Sequence, residues 1–169
     1  MNARKNNDRY LAIHPTTYGL GFAVVEEPLL LIDWGTYRAS GDKNGECLRY
    51  LDRLINRYGP RVVLIEDRDP RERQRSERIR RLVRSAMIEI RRRGIALQRV
   101  PRKRVRTLFE GSGAKTKQGI AICIAKLFPE LTHDVPPVRK AWMPEHPRMG
   151  MFEALALALA YLESVEISS

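Results

Sequence analysis

Long apolar runs, cysteines and acidic side chains are all scarce in this 169-residue chain. The longest strongly apolar stretch, Leu155 to Leu162, is far too short to span a bilayer, which excludes a helical membrane protein. No charged-then-apolar leader opens the chain, so the expectation is a soluble, cytoplasmic protein, at the nucleoid in a bacterium, with no membrane partner. The two cysteines, Cys47 and Cys123, stand alone. They lack the paired spacing of a zinc site and read as thiols of the core. Against 20 acidic residues stand 31 basic ones, for a net charge of +11. At 43% hydrophobic residues the chain is too apolar for disorder. One domain over residues 10–169 is expected, with a frayed segment over 1–9.

The basic surplus is local. Residues 68–106 hold 16 Lys or Arg and 4 Asp or Glu, and the other 130 residues are nearly balanced, with 15 basic and 16 acidic. Of all the basic residues 24 are Arg, the side chain best suited to bidentate phosphate contact. A concentrated basic stretch on a balanced globule points to a polyanion, most simply nucleic acid. A solvated helix face is the competing reading.

Apolar runs at Tyr10–Ile13, Leu20–Val25, Leu29–Trp34 and Gly35–Ala39 read as an antiparallel meander. Glu46–Tyr58 carries Cys47, Leu48, Leu51, Leu54 and Ile55 on one helical face and stops at Gly59-Pro60. Arg61–Ile65 is a continuous apolar strand of the buried, parallel kind, ending in Glu66-Asp67. Ile79, Leu82, Val83, Ala86 and Ile90 then give an amphipathic helix crowded with arginine. Ile95–Val100 is the last strand, followed by two helices broken at Gly111-Ser112-Gly113. Residues 129–149 read as a Pro-rich loop, and Met151–Leu162 as an apolar helix. This order is α/β: a five-stranded mixed sheet with helices on both faces.

Two carboxylates fall in expensive places. Glu66 ends a buried strand, at the sheet edge where open α/β folds place ligands. Glu153 lies in a helix of Met, Phe, Ala and Leu, where an unpaired carboxylate costs several kcal/mol. His14 closes the first strand. With strands one and four adjacent, His14 and Glu66 face each other and Glu153 approaches from the last helix. That trio is a candidate metal site; an arginine pairing with Glu66 and a turn role for His14 are the plainer alternatives. Gly111-Ser112-Gly113, with Lys115 and Lys117 beyond it, is a candidate phosphate cradle, although a plain interhelical turn has the same sequence. Gly19-Leu20-Gly21 is a weaker nucleotide-phosphate candidate.

These residues resemble a family. Ile13-His14-Pro15, with Gly19 and the strand Leu20–Val24, is similar to the opening strand and turn of the RuvC-type Holliday-junction resolvases of the RNase H-like superfamily. Val62–Ile65 ending in Glu66 matches their strand with its catalytic Glu. Val105-Arg106, Gly111, Gly113 and Lys117 match their basic, glycine-containing segment. Glu153-Ala154-Leu155-Ala156 matches their closing acidic block. The resemblance implies an RNase H-like fold, a homodimer, and a Mg²⁺- or Mn²⁺-dependent endonuclease of branched DNA in recombination and repair. Carried over by position, His14, Glu66 and Glu153 would be metal ligands and catalytic residues, with Lys117 beside the scissile phosphate. Arg75, Arg78, Arg81, Arg84, Arg104, Arg106, Lys115 and Lys117 would contact nucleic acid.

Two departures stand out. His14 occupies the place of the family's first Asp, and Gly150 the place of an acidic or His residue three positions before Glu153. A neutral imidazole suits Mn²⁺ or Zn²⁺ better than Mg²⁺. His146, Asp67 and Asp69 are candidates to repair the site. The sequence thus supports two functions: a metal-dependent structure-selective nuclease with an altered site, or a protein that binds branched or duplex nucleic acid without cutting and without a metal.

Overall fold

The computed structural model describes residues 8–69, 71 and 75–168. Strand β1 (Arg9–Pro15) is apolar at consecutive positions. Side chains alternate across a strand, so such a run needs a packed layer on each face. Leu11 and Ile13 enter one core cluster and Tyr10 and Ala12 the other. Strand β4 (Val62–Asp67) divides the same way, Val63 and Ile65 against Val62 and Leu64.

The sheet order is β3-β2-β1-β4-β5. Strand β2 (Gly19–Glu26) is antiparallel to β1 and to β3 (Leu30–Arg38); β4 is parallel to β1 and to β5 (Ala96–Pro101). Helices α1 (Lys43–Tyr58) and α2 (Glu77–Arg92) cover the Leu11 face. Helices α3 (Arg102–Glu110), α4 (Lys117–Leu127) and α5 (Met149–Ile167) cover the Tyr10 face. The five-stranded mixed sheet with helices on both faces is therefore as the sequence predicts. Cys47 is buried in the core, and Cys123 is partly buried against it. Among the described residues no helix is long and apolar enough to cross a membrane.

Several boundaries differ. Leu29–Trp34 and Gly35–Ala39 are not two strands but the single strand β3, which passes straight through Gly35. A Cβ at Gly35 would stand 3.3 Å from the Phe22 ring, so the glycine makes room for that ring rather than a turn. The last helix is longer at both ends than Met151–Leu162, and residues 129–134 form a short 3₁₀ helix inside the expected loop. The expectation of a frayed segment over 1–9 fails at its end: Arg9 pairs with Glu26 at 2.8 Å, Asp8 with Arg61, and the Asp8 carbonyl accepts from Glu27 N. Residues 1–7 lie outside the described residues.

Candidate functional site

Strands β1 and β4 set Tyr10 beside Val62 and Ala12 beside Leu64. Carried one pleat further, this register places His14 beside Glu66, both on the face covered by α5. They are the buried polar residues among those described, each 7% exposed. Glu153, one turn into α5, comes within 3.7 Å of His14 Nε2. The three residues singled out from sequence thus converge on one place.

What surrounds them is cationic. Glu66 Oε2 accepts from Arg68 Nε at 2.8 Å and from Arg75 Nη2 at 2.7 Å, and Oε1 accepts from Arg102 Nη1 at 3.0 Å. Arg102 also lies 3.6 Å from Glu153, and Lys117 Nζ 3.9 Å from it. Lys117 donates to Glu145 at 2.8 Å. Four cations therefore face three carboxylates, Glu66, Glu145 and Glu153. A cavity of about 140 Å³ opens here, lined among others by His14, Arg68, Arg75, Lys117, Glu145 and His146.

The protonation states follow from burial and these neighbours. Burial pushes His14 down to about 3, and the nearby Arg75, Lys117 and Arg68 oppose its charging while Glu66 favours it, so the imidazole is neutral at pH 7. Burial alone would push the Glu66 carboxyl up, but the charges around it, His14 with Arg68 and Arg75, hold it at about 2. With His14 neutral, the guanidiniums carry that effect. Burial raises Glu153, with Glu66 and Glu145 adding to it and Lys117 and Arg102 opposing it.

This donor set does not fit a pair of divalent ions. A dication site needs carboxylate oxygens in excess, open to the ion. Here both Glu66 oxygens already accept charge-assisted hydrogen bonds and His14 is a single neutral nitrogen. Among the described residues no three His, Cys, Asp or Glu stand together so as to hold an ion. Nor does any buried side-chain polar atom there lack a hydrogen-bond partner. Of the candidates to repair the site, the two aspartates are paired with arginines and only His146 lines the cavity. Asp67 pairs with Arg99 at 2.7 Å, Asp69 with Arg71 at 3.2 Å, and His146, on the cavity rim, accepts from Arg148 N at 3.2 Å.

Gly150 has a structural cause. A Cβ there would lie 2.7 Å from the Thr16 methyl, and one on Gly21 would lie 2.2 Å from the Gly150 carbonyl carbon. The first turn of α5 therefore rests on β2 at Gly21 backbone to backbone, and a side chain at position 150 fits only if the Thr16 side chain gives way. The same contact removes Gly19-Leu20-Gly21 as a phosphate site. The turn before Gly19 is closed internally: Thr16 Oγ1 accepts from Tyr18 N and Gly19 N at 3.2 and 3.1 Å.

Two other expectations need correction. The Gly111-Ser112-Gly113 turn itself offers no N–H group to a phosphate. Ser112, Gly113 and Ala114 N–H groups donate to carbonyls of Phe109, Glu110 and Phe109, so they are turned inward. Arg78 is a clamp rather than an outward contact, donating to Asn44 Oδ1 at 3.0 Å and to the Thr16 carbonyl at 2.9 Å. Arg75 likewise faces Glu66. Arg81 and Arg84 are exposed on α2, within 3.4 and 3.8 Å of Glu77. Arg104 and Arg106 are exposed on α3, Arg104 donating to Ser164 at 3.2 Å, and Lys115 is exposed just before α4. Arg68, Arg102 and Glu145 were not anticipated.

No protein-family model matches the sequence, and no curated protein does. Solved structures do. Thermus thermophilus RuvC aligns with a TM-score of 0.68 at 16% identity, covering 95% of this chain and 96% of that one. The same T. thermophilus protein in complex with a Holliday junction substrate aligns at 0.67 and 15%, over 95% and 96%. The yeast mitochondrial Holliday junction resolvase Ydc2 aligns at 0.65 and 10%, over 92% of this chain and 78% of that one. The chain therefore has the RuvC-type, RNase H-like fold, and its structural neighbours are Holliday junction resolvases.

Proposed function

We propose that this protein binds branched or duplex nucleic acid through a RuvC-like framework and does not cut it. The observation that carries this reading is the capture of Glu66 by Arg68, Arg75 and Arg102. A cavity with more cations than carboxylates repels a dication and attracts a phosphate. Binding extends from the cavity onto the exposed basic face of α2, where Arg80, Arg81 and Arg84 lie. Neither Mg²⁺ nor Mn²⁺ is required for it. The likeness to a resolvase seen with its junction supports a branched substrate.

The convergence of Glu66 and Glu153 on His14, which lines the cavity, favours a second reading: a metal-dependent endonuclease in which a bound phosphate draws the arginines off Glu66. One experiment separates the two. A labelled four-way junction is titrated in EDTA, then incubated with Mg²⁺ and with Mn²⁺. Undiminished binding in EDTA with no cutting in either metal supports the binding protein. Cutting that is lost in both Glu66→Gln and Glu153→Gln overturns it in favour of the nuclease.

A further inference from the structure

The segment between the 3₁₀ helix and α5 carries a feature that the cavity does not use. Its ends are fastened beside the site. Gln118 Nε2 donates to the Pro136 carbonyl at 2.6 Å, and Arg148 Nη1 to the His133 carbonyl at 3.2 Å. Glu145 is held by Lys117 at 2.8 Å. Between these anchors the tip projects: Trp142 is 78% exposed and Val138 82%. The tip is shaped from within. Met143 N donates to the Lys140 carbonyl at 3.0 Å, and Arg139 Nη1 to the Met143 carbonyl at 3.0 Å. Lys140 Nζ stands 5.9 Å from the Trp142 ring centroid. Prolines at 136, 137, 144 and 147 lower the freedom of the chain around it.

An indole this exposed is a large apolar surface left in water. A flexible ammonium, that of Lys140, lies over its ring. Arg139 and Lys140 beside it attract phosphates, whereas an apolar protein partner would have to strip water from both charges. An aromatic plane flanked by cations is the arrangement that stacks on an unpaired base while its neighbours hold the backbone. Two residues separate Trp142 from Glu145 on the cavity rim, so a strand lying over the cavity passes the tip.

We propose that Trp142 is a stacking platform for an unpaired base of the bound nucleic acid, with Arg139 and Lys140 as its phosphate contacts. This rests on the nucleic-acid reading above. Being exposed, Trp142 can be replaced without disturbing the core. Trp34, the other tryptophan, is half-buried and donates to Asp134 at 3.3 Å, so Trp34→Phe leaves Trp142 as the single reporter. The probes are a four-way junction carrying an unpaired thymine bulge and a fully paired linear duplex.

Expected results are quenching of Trp142 emission by the bulged junction and a loss of about 5- to 150-fold in affinity for it in Trp142→Ala. Trp142→Phe recovers part of that loss, and the fully paired duplex binds nearly alike to all three proteins. Because stacking releases no counterions, the ratio of parent to Trp142→Ala affinity stays constant as salt is raised. Equal binding of the bulged junction by parent and Trp142→Ala, with the parent binding well, overturns the stacking proposal and leaves the nucleic-acid reading intact. No binding of either probe by the parent overturns both. A change in molecular mass by light scattering in Trp142→Ala, with its affinity loss equal on both probes, marks the tip as a protein interface and also overturns the proposal.

Discussion

Replacing Glu66 by Gln distinguishes an arginine-filled cavity from a metal site by the sign of its effect on stability. In a site built for dications the carboxylates repel one another when the metal is withdrawn. At about 4 Å and an effective dielectric of 20 that repulsion is about 4 kcal/mol per pair, so neutralising one carboxylate stabilises the metal-free protein. Here the reverse holds. Glu66 is the common acceptor of Arg68, Arg75 and Arg102 at 2.8, 2.7 and 3.0 Å. Glu66→Gln keeps the volume and one acceptor but removes the charge and turns an amide N–H₂ toward a guanidinium.

Breaking a buried pair by removing one partner costs about 3–5 kcal/mol. The loss is not threefold, because the guanidiniums differ in access to water. The Arg75 side chain is 11% exposed, whereas those of Arg102 and Arg68 are 25% and 30% exposed and can be rehydrated. The burden falls on Arg75, which sets the lower end, about 3 kcal/mol. For a domain of this size that is a fall of roughly 6–12 °C in Tm. Thermal unfolding followed by circular dichroism, in EDTA, measures it. An unchanged or higher Tm in Glu66→Gln would show that the arginines contribute nothing to holding the site. A parent Tm raised by millimolar Mg²⁺ would refute the argument from the other side, since a ligand of the native state must stabilise it.

Burial holds His14 at about 3 against an ordinary 6.5, so as pH falls the unfolded chain takes up this proton before the folded one does. Folding stability is therefore lost from about pH 6.5 down to about 3, by at most about 5 kcal/mol, and His14→Asn flattens that limb in a pH series of urea midpoints; an identical limb refutes a neutral His14. Gly150→Asp costs about 1–3 kcal/mol through the clash with Thr16 and confers no Mg²⁺-dependent cutting, by urea unfolding and a junction cleavage assay; a stable variant that cuts would mean that α5 yields at its first turn. Arg81→Gln with Arg84→Gln leaves stability within about 0.5 kcal/mol but lowers the slope of log affinity against log salt by roughly 2. An unchanged slope removes the outer face of α2 from the interface.

The two-layered sheet was legible because Tyr10–Ile13 and Val62–Ile65 are continuous apolar runs, which force a layer on each side, and the placement of His14 beside Glu66 follows from the adjacency of strands one and four. Glu153 was legible because nothing else between Met151 and Leu162 is charged. The arginines were not. Arg68, Arg75 and Arg102 reach Glu66 from the end of β4, the approach to α2 and the start of α3, and Arg102 is 36 positions away in sequence. Where a long charged side chain points is decided by tertiary neighbours, so a basic run reads only as a run. Gly150 was visible as a missing ligand, yet the crowding there, the Thr16 methyl 2.7 Å from where its Cβ would stand, depends on the position of α5 against the β1–β2 turn. Nor does glycine spacing tell that the Ser112, Gly113 and Ala114 N–H groups face back into the preceding turn.

The basic segment therefore plays two parts that its net charge runs together. Arg68, Arg75 and Arg102 are bound to Glu66, Arg78 to Asn44 and Thr16, Arg99 to Asp67, and Arg93 to Asp52 and Glu89. Arg80, Arg81 and Arg84 face solvent with Glu77 alone among them. A phosphate arriving at α2 meets charge at little cost, while one entering the cavity meets Arg75 only in competition with Glu66. Cutting and holding make opposite demands there: a dication needs the carboxylates released, and a phosphate needs the arginines released. Four cations against three carboxylates, with a neutral imidazole between, tilt that competition toward the anion, which is the balance the proposed binding function requires.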